Sequence, residues 1–161
     1  MTATHTADGY DIRSRHPERG NYYQDYHARS ERLRSAWPAR LDLRYGAHPR
    51  ARLDIFAPHA AGGAPPLLVF VHGGFWHAHD KSEFAFVAEP YLAAGIGVAL
   101  VNYPLAPETA IDGIVAHVAA ACRWLAAQGG ELGFNPDRIV VAGHSAGAHL
   151  ALSMLSAAAD A

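Results

Sequence analysis

At 161 residues, with half of them apolar and 17% charged, the chain is long enough for one domain with a real core, and its composition excludes an intrinsically disordered protein. Its formal net charge of −2 is unevenly divided: residues 1–52 hold ten arginines against six acidic residues, and residues 53–161 hold three basic against nine acidic residues. Because Asp8, Asp11, Glu18, Asp25 and Glu31 interrupt the arginines, the basic arm reads as a segment folded onto the acidic remainder, and no nucleic-acid partner is expected.

Residues 1–20 are polar and turn-forming without a clear period and are read as loop. From Asn21, NYYQDYHARSERLRSA predicts a helix with Asn21 as N-cap and Tyr22, Tyr26 and Leu33 near one face, ended by Pro38. RLDLRYG and ARLDIFAP, separated by Ala47-His48-Pro49, alternate in the manner of an antiparallel hairpin with one wet face. Gly62-Gly63-Ala64-Pro65-Pro66 is a turn. Beyond it LLVFV, GVALV and RIVVA are continuous apolar runs, as expected of strands covered on both faces. They are too short to cross a bilayer, so no membrane association is expected. Helical segments run roughly over 82–94 and 109–127, the second on the spacing of Ile111, Ile114, Val115, Val118, Cys122 and Leu125. The order predicts an α/β fold: an open, mostly parallel sheet with an N-terminal antiparallel hairpin. Residues 1–40 form an arm and helix, and 41–161 the α/β unit. The amino terminus lacks a signal-type apolar stretch, and the single Cys122 reads as a buried structural thiol, so a cytoplasmic location is expected.

Chemistry in such sheets gathers at the carboxyl ends of the strands. After RIVVA comes Gly143-His144-Ser145-Ala146-Gly147. A serine on so tight a strand-to-helix turn sits in strained backbone, at about 1–3 kcal/mol, and glycine at 143 and 147 removes collisions with strand and helix. The turn points the Ser145 hydroxyl outward as a nucleophile and puts the Ala146 amide at a helix N-terminus, where it favours an oxyanion. After LLVFV comes His72-Gly73-Gly74-Phe75-Trp76. Gly73 and Gly74 let backbone amides approach a developing alkoxide closely, although a plain tight turn uses two glycines equally well. Phe75 and Trp76, with His72, are candidates for a substrate pocket or for the core. His144 is given a structural or pocket role.

These residues resemble the α/β-hydrolase superfamily, and within it the kynurenine formamidase (arylformamidase) branch and its esterase relatives. The likeness is carried by ARLDLRYGAHPRARLDIFAP, VFVHGGFWHAHDKS, GVALVNYPLAPE and VVAGHSAGAHLALSML, together most of 39–155. His-Gly-Gly-x-Trp discriminates best, since the broader hormone-sensitive-lipase-like esterases usually carry a third glycine where this chain has Phe75. The resemblance implies hydrolysis of a small-molecule aryl formamide such as N-formylkynurenine, or a carboxylic ester, through an acyl-enzyme on Ser145, with Gly73, Gly74 and Ala146 as oxyanion donors. It also places Tyr22 and Tyr26 over the site.

In that family a later Asp and a still later His complete the triad. After Ser145 this chain offers only His149 and Asp160. His149 lies one helical turn beyond the serine and is directed along the helix side. The chain therefore reads as the amino-terminal part of a hydrolase, truncated after the nucleophile-elbow helix. The alternative is a non-catalytic remnant or interaction module. The RIVVA strand is expected to have an open edge, inviting self-association or a complementing chain. No metal or cofactor is expected. His77-Ala-His79-Asp80 lacks the next histidine of a binuclear metal motif, because Lys81 and Ser82 follow, and Gly95-x-Gly97 precedes a strand and lacks a third glycine.

Overall fold

In the computed structural model, residues 12–59 and 63–157 are described. The three continuous apolar runs become the parallel part of a five-stranded sheet: β3 (Leu67–Val71), β4 (Gly97–Val101) and β5 (Ile139–Gly143). β1 (Ala39–Arg44) and β2 (Arg52–Phe56) form the antiparallel hairpin, and β2 also pairs antiparallel with β4. The order is β1-β2-β4-β3-β5, so four strands point one way and β2 opposes them.

Alternation along β3 builds two cores. Leu67 and Val69 join Leu53, Ile55, Val101 and Leu125 on the face covered by α4 (Ile111–Leu132). Leu68 and Phe70 join Leu33, Phe56, Val98 and Leu92 on the opposite face. That second face is covered by α2 (Arg19–Ala36), a 3-10 segment (Lys81–Ala88) and α3 (Glu89–Ala93). Val71 extends the core toward Tyr103, Ile114 and Leu150, the last on α5 (Ala146–Ala157).

Several sequence expectations change. α2 starts at Arg19, two residues before Asn21, because the chain enters already wound: Glu18 at the N-cap is in the αR region without a side-chain cap, and Arg19 and Asn21 donate to the carbonyls of His16 and Glu18. A short α1 (Ile12–Arg15) stands where loop was expected; residues 1–11 of that loop, and Gly62 of the turn, lie outside the described residues. The helix expected over 82–94 is two elements. A capping box between Asp80 and Glu83 starts the 3-10 segment, and Pro90, with no N–H and a ring that clashes with a carbonyl one turn back, prevents its continuation as one α-helix. α4 runs to Leu132, past the expected end at Ala127, and stops at Gly133 in the left-handed conformation.

The hairpin has a wet strand, but it is β1 alone. β2 is almost wholly buried, including Asp54, because it lies between two strands. Asp54 pairs with Arg34 of α2 and with Lys81, and also accepts the Asp42 N–H at 2.8 Å where β1 bulges. The basic arm does fold onto the acidic remainder: Arg29 pairs with Glu89, Arg34 with Asp54 and Arg50 with Asp80. β5 has the open edge expected of the RIVVA strand, paired only with β3 among the described residues, but it is not covered on both faces as expected: Val140 is 62% exposed. No helix among the described residues is long and apolar enough to cross a membrane.

Candidate active site

Parallel strands β3 and β5 end side by side, with Val71 opposite Gly143, which brings the loops after them together. Ser145 follows β5 with φ of 54°, the left-handed region that costs a side-chain-bearing residue energy and marks a functional constraint. Both flanking glycines are sterically required. A Cβ at Gly143 would lie 2.2 Å from the Gly147 carbonyl oxygen, and one at Gly147 would lie 2.0 Å from that of Val71. The turn is closed by Gly147 N–H to the His144 carbonyl (2.9 Å) and Ala148 N–H to the Ser145 carbonyl (2.9 Å). Ser145 itself is exposed.

Gly73 packs against this turn: a Cβ there would meet the His144 carbonyl oxygen at 2.7 Å and the Ser145 Cβ at 3.1 Å. Among the described residues, the amides of Gly73, Gly74 and Ala146 donate to no acceptor. Unpaired backbone N–H groups next to a strained serine are what an oxyanion needs.

The loop from His72 to Asp80 is clamped from behind. Arg50 donates from Nε to the Tyr103 carbonyl (2.9 Å) and from Nη2 to the His79 carbonyl (2.8 Å). Asn102 accepts the Lys81 N–H at 2.7 Å and donates to Asp80. The Ala106 N–H donates to the Trp76 carbonyl at 2.8 Å. The NYPLAPE segment thus acts as a brace for the glycine loop.

A cavity of about 320 Å³ opens over the serine, lined by Gly73, Gly74, Phe75, His144 and Ser145 from the strand ends, by His79 and Phe84 from the next segment, and by Arg19, Tyr22, Tyr23 and Tyr26 from α2. Phe75, 72% exposed, lines it. His72 and Trp76 do not. His72 is 1% exposed and stacked on Tyr103 (4.4 Å) and Phe84 (5.7 Å); its Nδ1 donates to the Gly73 carbonyl at 2.7 Å. Burial lowers its pKa to about 4, the Gly73 hydrogen bond opposing and the Arg50 charge assisting, so the ring is neutral near pH 7. Trp76 packs against the cluster of Val71, Tyr103 and Leu150. Past His72 the chain leaves the strand for a turn in which Gly74, Phe75 and Trp76 all have positive φ (118°, 52° and 60°), and in that turn Phe75 is directed outward while Trp76 packs inward.

No described side chain hydrogen-bonds the Ser145 hydroxyl. His149 is exposed and edge-on to Trp76 at 5.4 Å between ring centroids; His144 shares the cavity wall with Ser145. Asp160 lies outside the described residues. His79 donates to Glu83 at 2.7 Å, and among the described residues no cluster of three metal-ligating side chains forms. Cys122 is half-buried, and burial pushes its thiol pKa up to about 11.

The sequence reading did not find Arg19, Tyr23, His79 or Phe84 in this wall. The signal was present: 19, 22, 23 and 26 are spaced i, i+3, i+4 and i+7, one face of a helix. Starting that helix at Asn21 hid it.

Comparison with known proteins agrees with this arrangement. A 127-residue match, 33% identical, joins 79% of the chain to 42% of kynurenine formamidase from Danio rerio. Another of 116 residues, 32% identical, joins 72% of it to 27% of isoprenylcysteine alpha-carbonyl methylesterase from Arabidopsis thaliana. A crystal structure from Silicibacter sp. TM1040, provisionally assigned as a thioesterase, superposes with a TM-score of 0.81 at 36% identity, over 92% of this chain and 54% of that one. The chain therefore spans less than half the length of the curated relatives it matches. The BD-FAE family model matches residues 53–160, and the chain belongs to that family, with an α/β-hydrolase-type, esterase-like fold.

Proposed function

We propose that this chain carries the nucleophile half of a serine hydrolase acting on a small aryl formamide, of the N-formylkynurenine kind, or on a carboxylic ester. The observation that carries the reading is Ser145, exposed at φ of 54° beside the amides of Gly73, Gly74 and Ala146, which donate to no acceptor among the described residues. Ser145 Oγ attacks the carbonyl carbon and the amides take the oxyanion, each such donor being worth about 2.7–4 kcal/mol in the transition state. Collapse breaks the C–N or C–O bond, the leaving amine or alcohol takes a proton, and water then releases formate or the acid from Ser145.

The proton needs a general base within hydrogen-bond reach of Oγ. We propose that the acid and base belong to further polypeptide that adds at the β5 edge, and the relatives' greater length supports this. Val140, with Leu152 and Leu155 on α5, is exposed there. A cytoplasmic setting is part of the proposal, supported by the lone unpaired Cys122.

A fluorophosphonate probe, applied to the chain together with the polypeptide that supplies the acid and base, tests the reading. The adduct should map to Ser145 and be absent from Ser145→Ala. No adduct on the folded chain with that polypeptide present leaves the non-catalytic module as the better description.

A further inference from the structure

The α2 face over the nucleophile is chemically lopsided. Of the side chains lining the cavity, Arg19 is the one with a permanent formal charge; Tyr22, Tyr23 and Tyr26 contribute phenol rings, and no Asp or Glu is among the lining residues. Nearby carboxylates are committed elsewhere. Both oxygens of Glu83 are taken, by His79 Nδ1 and by the Asp80 N–H, and Asp25 pairs with Arg29 on the same helix. Among the described residues no carboxylate forms an ion pair with Arg19, although the neighbouring arginines Arg29 and Arg34 each have one.

The aromatic wall is partly engaged and partly open. Tyr26 stacks on Phe86 at 4.5 Å and Tyr23 on His79 at 5.7 Å, and these contacts fix the helix face. Tyr22 has no ring partner among the described residues and is largely exposed. A half-buried guanidinium with no carboxylate partner among the described residues, one turn from an unstacked ring and in the same cavity as a serine, suits a ligand that brings a flat ring and a carboxylate.

We infer that Arg19 is the specificity residue of this cavity and binds the carboxylate of an anionic aromatic substrate whose ring lies against Tyr22. The inference rests on the hydrolase reading for the substrate's reacting end, and goes beyond it in assigning Arg19 as the residue that reads a carboxylate on the substrate and Tyr22 as the surface for its ring. It favours an aromatic acid bearing the scissile formamide or ester over a neutral ester of the same size.

Binding by the full chain tests this without turnover. Titrations followed by NMR would compare 3-phenylpropanoate with the isosteric neutral 3-phenylpropanamide on wild type, Arg19→Gln and Arg19→Lys. Wild type should bind the carboxylate about tenfold more tightly than the amide, as expected for a charge-assisted contact, and the preference should shrink with added salt. Arg19→Gln should abolish the preference while leaving amide binding unchanged, and Arg19→Lys should keep part of it. Equal affinity for the two ligands in wild type, no saturable binding of either, or an equal loss for both in Arg19→Gln would overturn the assignment. The two readings fail separately: an Arg19-dependent preference without fluorophosphonate labelling removes the hydrolase, and labelling without the preference removes the role of Arg19.

Discussion

The ammonium of Lys81, at the start of the 3-10 segment behind the glycine loop, lies 2.8 Å from the carboxylate of Asp54 in the middle of β2, and both side chains are almost completely out of water. Arg34 of α2 closes on the same carboxylate, and Lys81 also reaches Asp42 at 2.8 Å. One buried anion therefore ties helix, hairpin and catalytic-face loop together. Pairing at this depth recovers desolvation only while every partner is present.

Replacing Asp54 by Ala should accordingly destabilise the chain by about 3–5 kcal/mol, because Lys81 would keep a buried charge with only the half-exposed Asp42 to answer it. Urea denaturation of wild type and variant gives the number. A loss below about 1 kcal/mol would show that the cluster relaxes to solvent.

At the nucleophile turn the prediction separates two glycines. Gly147→Ala drives a methyl to 2.0 Å from the Val71 carbonyl oxygen and should cost about 3 kcal/mol or more. Gly130→Ala, inside α4 with nothing within 4 Å of the new methyl, should raise stability by about 0.5–1 kcal/mol through helix propensity. Thermal melts of the pair should move in opposite directions.

The buried imidazole of His72 sets a pH window. Its folded pKa of about 4 lies below the 6.5 of the free side chain, so between these values the unfolded chain binds a proton that the folded chain does not. Stability is therefore complete above about pH 6.5 and declines as pH falls toward 4, by roughly 3 kcal/mol in all. Asp42, held below the usual range chiefly by its hydrogen bond to Lys81, adds its loss only at lower pH. Urea midpoints at pH 7 and pH 4.5 check the decline, which should be shallower in His72→Gln even though that variant starts less stable.

Ser30 joins α2 to the 3-10 segment, donating to the Glu83 carbonyl at 3.0 Å and accepting the Phe86 N–H at 3.2 Å. Ser30→Ala should lose about 1–3 kcal/mol by leaving these groups unpaired in a buried place. A calorimetric unfolding scan would show it; an unchanged midpoint would mean that the helix is held by its other contacts, among them Tyr26, Leu33 and the Arg34–Asp54 pair.

What could be read from the sequence was what depends on neighbours along the chain. LLVFV, GVALV and RIVVA announced the parallel strands, and Gly143-x-Ser145-x-Gly147 announced a turn whose steric need for glycine is local. The contents of the cavity depended on long-range packing. Asp54 looked like the polar half of an alternating strand because nothing nearby in sequence says that β4 will pair on its other side. Arg19 looked like loop because the helix gains its first turn from backbone bonds at His16 and Glu18, and no capping side chain marks it. Phe75 and Trp76 were indistinguishable by type; which of them faces solvent is set by the turn after β3 that carries both.

The edge position of β5 carries a further consequence. Arg138 gives its carbonyl to the Leu67 N–H and His144 gives its N–H to the Val71 carbonyl, so in this parallel ladder the even-numbered residues face β3 and the amides of Ile139, Val141 and Gly143 face outward. Any parallel strand added at this edge would take its register from these amides. A parallel strand bonded to those three amides would finish level with Gly143, and the first side chain beyond its end would be delivered to the same rim as Ser145.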